Sequence, residues 1–125
     1  MNTIFAVAAG GAVGALGRYG LYNLVHSVTG RAFPYGTLAV NILGSLLMGF
    51  LYVWLFDRLN VGPAWRAFLL VGCLGSFTTF SAFSIETLNL AQNGDWWRAA
   101  VNIVASVVVC IAAAWLGTIL ARQLA

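Results

Sequence analysis

The stretch Gly72-Cys73-Leu74-Gly75-Ser76-Phe77-Thr78-Thr79-Phe80-Ser81-Ala82-Phe83-Ser84 decides how this chain is read. It sits inside a 19-residue run, Ala67 to Ile85, that carries no charged side chain. A run of that length is a candidate membrane span. Its centre nevertheless holds two glycines and five hydroxyl side chains, interleaved with three phenylalanines. Hydrocarbon does not favour that polarity, so something other than lipid is expected to meet this helix at mid-depth.

Working outward, the rest of the chain agrees with a bilayer setting. Of its 125 residues, 62% are hydrophobic and 7% charged, with a mean hydropathy of +0.92. A water-soluble surface needs far more charge. Cutting at charges and turn residues predicts four helical spans: Thr3 to Val25, Pro34 to Phe56, Pro63 to Leu90 and Trp96 to Ala121. Each exceeds the roughly 20 residues that cross a bilayer core. Pro34 suits a helix start, and Gly62-Pro63 and Asn93-Gly94-Asp95 punctuate the spans. The fold class is therefore all-α integral membrane, in a single four-span domain covering residues 1–125.

Charge excludes some functions and sets up another. The net charge is +3 and all six basic residues are arginines, none of them in a run. No patch exists to hold a nucleic-acid backbone. Cys73 and Cys110 lie in apolar spans and read as small buried residues. His26 is the only histidine, so neither a catalytic triad nor a metal cluster is visible, and an enzyme is not expected. Arg58, Arg66 and Arg122 fall on one side of the predicted spans, against Arg31, Arg98 and a snorkelling Arg18 on the other. That balance gives the positive-inside rule no purchase. Either a weaker cue sets orientation or the protein inserts both ways up. Two copies of opposite orientation would supply the inverted halves that many transporters contain within one chain.

Several residues have two readings from sequence alone. Gly10, Gly11, Gly14, Gly17 and Gly20 in the first span suit close helix packing. Arg18 is either a snorkelled interfacial charge or an attractor of anions to a vestibule. Asn41 either bonds a neighbouring helix or turns its amide to a pore. Phe80 and Phe83 share one helix face; they pack, or present positive ring edges to a passing anion. Gly72 and Gly75, followed by Ser and Thr, weaken the third span near its middle. The outcome is a satisfied kink or freed carbonyls that suit a small hard cation. Glu86 ends the uncharged run and takes either a vestibule or a headgroup position. Ser106 and Cys110, one turn apart, share a face, and Asn102 reads as structural.

With these residues assembled, the chain resembles the Fluc fluoride channel family, also called CrcB proteins. The likeness covers essentially the whole length. It is carried by the glycine-rich first span ending in Arg18-Tyr19, by Gly36-Thr37-Leu38-Ala39-Val40-Asn41, and by Thr78-Thr79-Phe80-Ser81-Ala82-Phe83-Ser84 with Glu86. The resemblance implies an antiparallel, dual-topology homodimer in the cell inner membrane, with a third helix broken at its centre. It implies one structural sodium ion held by backbone carbonyls of Gly75 and Thr78 from both subunits. It implies two fluoride pores lined by Asn41, Phe80, Phe83, Ser81 and Ser106, with Arg18 and Glu86 in vestibule or supporting positions and Cys110 on the polar track of the fourth span. Ser76, Ala82, Cys110 and Tyr19 depart from the residues usual at those places. The implied function is passive, fluoride-selective efflux. A proton-coupled exporter using Glu86 and a non-transporting scaffold subunit are the competing readings.

Overall fold

The computed structural model describes residues 2–124, and everything described is helix, turn or short connection. Four helices have the length and apolarity to cross a membrane: Thr3–Thr29, Tyr35–Arg58, Pro63–Gln92 and Trp96–Gln123. All four expected spans are present, each running two to four residues further at its C-terminal end than charge and turn residues suggested. Asn2 caps the first span, its side chain accepting from the Ile4 amide at 2.8 Å. Pro34 is the cap before the second span rather than its first turn. Asp95 caps the fourth, accepting from the Arg98 amide.

The first span packs mainly on the N-terminal half of the third, and the second mainly on the fourth. Glycine makes both junctions. A Cβ on Gly10 would lie 2.9 Å from the Gly72 Cα, and one on Gly72 would lie 2.8 Å from the Gly10 Cα. The two backbones therefore touch where neither residue has a side chain. Gly49 and Gly117 do the same for the second and fourth spans, against the Ala114 carbonyl and the Leu46 carbonyl respectively. Close approach of this kind is how helices associate where lipid removes the hydrophobic drive between them.

The third span is not uniform. Residues Ala67–Leu74 are wound as a π-helix, wider than an α-helix, and α-helical winding follows over Gly75–Phe77. Thr78 (φ −83°, ψ 156°) and Thr79 (φ −149°, ψ 114°) are extended, and the helix Phe80–Gln92 starts beyond them. The serine and threonine side chains bond backward along the chain here. Ser76 Oγ donates toward the Gly72 carbonyl at 2.6 Å, and Thr78 Oγ1 donates to the Leu74 carbonyl at 3.1 Å. Thr79 caps the second half through its side-chain oxygen, which accepts from the Ala82 amide.

Candidate functional site

The extended residues lie at the wall of an open groove of about 450 Å³ between the second, third and fourth spans. Asn41, Ser45, Thr78, Thr79, Phe80, Phe83, Ser106 and Cys110 contribute to its lining. Side chains from three spans thus meet in a mainly apolar groove, also lined by Met48, Val107 and Ile111, into which a few polar groups are set.

Asn41 is the joint. Its Nδ2 donates to the Thr79 carbonyl at 3.1 Å, while its Oδ1 accepts from the Thr79 amide at 2.8 Å. One side chain therefore satisfies both backbone groups of an extended residue that a continuous helix would have paired internally. The interhelical bond, one of the two readings open in sequence, is present, and Asn41 also borders the groove. A primary amide carries two N–H groups, and only one is committed to Thr79.

Arg18 is half-buried, and its Nε donates to the Ser76 carbonyl at 3.1 Å, a partner that neither sequence reading named. That carbonyl is an orphan of the helical segment ending at Phe77, and the guanidinium supplies its missing donor. Ser76 also reaches the first span, its Oγ 2.9 Å from the Gly11 carbonyl. The carbonyl of Thr78, outside the helical segments, accepts no hydrogen bond among the described residues, and no side chain donates to that of Gly75.

The two phenylalanines lie on the groove with ring centroids 5.5 Å apart and tilted by 47°. Phe80 is 79% exposed, a large ring with little of this chain around it. Ser81 is exposed and sits outside the groove lining, its Oγ 3.3 Å from Thr79 Oγ1. Ser106 and Cys110 line the groove together, as their spacing on one face requires.

Glu86 belongs to a separate polar cluster. Thr37 Oγ1, on a residue 2% exposed, donates to Glu86 Oε1 at 2.8 Å. Glu86 Oε2 is buried with no partner among the described residues. His26, next to this cluster, is buried beside Tyr22 in an edge-on ring contact with centroids 4.5 Å apart. The Gly36 amide donates to His26 Nε2, so Nδ1 carries the proton facing the Gly30 carbonyl at 2.8 Å. The sequence alone assigns neither His26 nor Thr37 to this cluster. Thr37 meets Glu86 from 49 residues away, and His26 joins Gly30 locally to Gly36 ten residues on, pairings that no local pattern marks.

These features define a four-span membrane protein with a groove, apolar but for a few polar side chains, at an irregular stretch of its third helix. A sequence model of the family described as "CrcB-like protein, Camphor Resistance (CrcB)" matches residues 5–118. The chain belongs to that family. It is 53% identical over 116 residues to a protein of Magnetococcus marinus named "Fluoride-specific ion channel FluC", a match covering 93% of this chain and 94% of the relative. A Coxiella burnetii protein of the same name is 52% identical over 103 residues, covering 82% of this chain and 83% of the relative. A third, from Methylococcus capsulatus, is 50% identical over 123 residues, 98% of this chain. The chain spans about half of that relative's length, 54%. Such names place these relatives among ion channels rather than enzymes. This chain is a multi-pass membrane protein.

Proposed function

We propose that the protein is a fluoride-selective channel of the cell inner membrane that lets cytoplasmic fluoride leave passively. The observation that carries this reading is the Asn41–Thr79 pairing, which opens backbone at the groove beside two phenyl rings. Fluoride is small and strongly hydrated, so a path must replace lost water with donors. The free Asn41 N–H, the Ser106 hydroxyl and the edges of Phe80 and Phe83 are suitable groups. Such contacts are weaker than a fixed positive charge, and conduction requires an ion to leave as well as enter. The membrane potential, about 2.3 kcal/mol per charge per 100 mV, drives the anion outward without a coupled proton.

The working unit is an antiparallel homodimer with dual topology. The groove is open along one side and Phe80 stands unpacked in the single chain, so a second copy would complete two equivalent pores. The unpartnered carbonyl of Thr78 and that of Gly75, three residues before it, fit a hard cation with oxygen ligands, and among the described residues no His, Cys, Asp or Glu cluster competes for that role. Bound there, a sodium ion would neutralise the carbonyl dipoles and tie the two subunits at their centre. Ser81, outside this chain's own groove, then belongs to the exposed surface available to the partner.

Vesicles containing only this polypeptide test the reading. Fluoride efflux that greatly exceeds chloride efflux and follows the membrane potential is expected. Efflux that stops without a pH gradient identifies a proton-coupled exporter instead, and no fluoride release identifies a scaffold. Replacing sodium with a large organic cation is expected to weaken the dimer and slow efflux; indifference to sodium removes the carbonyl site.

A further inference from the structure

Asn102 is 2% exposed, as deeply buried as any polar side chain in the described molecule, and it does not line the groove. It does join two residues that do. Thr87 Oγ1 donates to the Phe83 carbonyl at 2.7 Å, Asn102 Nδ2 donates to Thr87 Oγ1 at 2.8 Å, and Ser106 Oγ lies 3.5 Å from Asn102 Oδ1. The chain therefore runs from Phe83 on the third span to Ser106 on the fourth.

Its direction is dictated from one end. A carbonyl only accepts, so the Thr87 proton goes to Phe83. Thr87 oxygen must then accept, which turns the Asn102 NH2 toward it and the Asn102 oxygen toward Ser106. Of the two hydroxyls in this network, that of Ser106 is the one whose proton is not tightly held, because 3.5 Å is well beyond the usual 2.5–3.0 Å of a hydroxyl bond.

The geometry points to Asn102 as a positioning residue that sets the hydroxyl of Ser106 for the permeating anion. At rest the Ser106 proton leans toward Asn102 Oδ1; an anion in the groove takes it by a rotation of the hydroxyl alone. The weak hold keeps the donor aimed and available, and the reverse rotation releases the ion. Thr87 supports the amide's orientation and couples it to the Phe83 backbone. This inference rests on the channel reading above.

Fluoride efflux from vesicles, with the dimer checked by size in detergent, tests it in a double-mutant cycle. Asn102→Leu and Ser106→Ala are each expected to slow efflux about fivefold, the scale of one hydrogen bond. Combined, they are expected to slow it no more than either alone, because Asn102 acts through Ser106. Thr87→Val is expected to slow efflux as well, and Thr87→Ser, which keeps the hydroxyl, to recover most of that loss. Independent, multiplying losses in the double variant overturn the relay, as does unaltered efflux in Thr87→Val. The Thr87 pair decides the matter where Asn102→Leu fails to fold. A parent protein that releases no fluoride sinks the channel reading and the relay together; a conducting parent with multiplying losses sinks the relay alone.

Discussion

The two halves of the third span are held in opposite ways. The N-terminal half buries Ala67, Leu70, Gly72 and Leu74: Gly72 meets the first span backbone to backbone, Leu70 and Leu74 cluster with Leu55 of the second, and Ser76 at its end adds polar bonds to the first span. The helix Phe80–Gln92 buries no residue. It is tied instead by polar contacts to its neighbours: Asn41 to Thr79 at its entry, Thr37 to Glu86, and Asn102 to Thr87. Contact area, with polar bonds confined to its end, builds a rigid frame in lipid. Directional bonds aim a helix whose surface must stay free for a groove and a second copy. The first half is scaffold, and the second is presented by it.

That contrast is most easily broken on the packed side. Gly10→Val sets a branched side chain against the Phe68 carbonyl and the Gly72 backbone, with nowhere to move. Overpacking of this kind costs about 3 kcal/mol or more. The expected outcome is loss of folded protein, read as aggregation on size-exclusion in detergent. A well-behaved Gly10→Val protein would show that the junction is looser than its backbone contacts require.

On the polar side, folding is expected to survive while transport fails. Asn41→Leu leaves the Thr79 amide without its partner, at about 1–3 kcal/mol, and takes from the Thr79 carbonyl the donor it holds besides the helix. Fluoride efflux is expected to fall to background with the protein still dimeric. Persistence of efflux would mean that the extended backbone does not depend on this clamp. Phe80→Ile and Phe83→Ile remove the ring edges but keep apolar bulk. Each is expected to cut efflux at least tenfold, about 1.4 kcal/mol of barrier, with the melting temperature unchanged. Normal efflux in both would discard the phenyl edges as part of the path.

Thr37→Val is expected to have the smallest effect on transport. It removes the Thr37 hydroxyl that donates to Glu86, and its cost falls on stability, about 1 kcal/mol. The expected result is a lower melting temperature with fluoride-over-chloride preference retained. A change in that preference would move Glu86 from supporting the helix to contacting the ion.

Much of this architecture was legible from residue order alone. Charge-free runs and turn residues located the four spans, because lipid enforces both length and apolarity. Spacing placed Phe80 with Phe83 and Ser106 with Cys110 on shared faces, because helical periodicity is local. The polar, glycine-containing centre of the third span marked where extended backbone occurs, because those side chains compete for backbone bonds.

Partners distant in sequence were decided only by the tertiary structure. Arg18 has no neighbour in sequence that directs it inward; the Ser76 carbonyl that receives it is 58 residues away. Asn41 had two plausible roles until the Thr79 backbone arrived from 38 residues along the chain. Asn102 gained direction from Thr87, whose own proton is committed to Phe83. Apolarity and period are properties of a segment and can be read from it. A hydrogen bond belongs to two groups, and which two meet is set by how the helices pack.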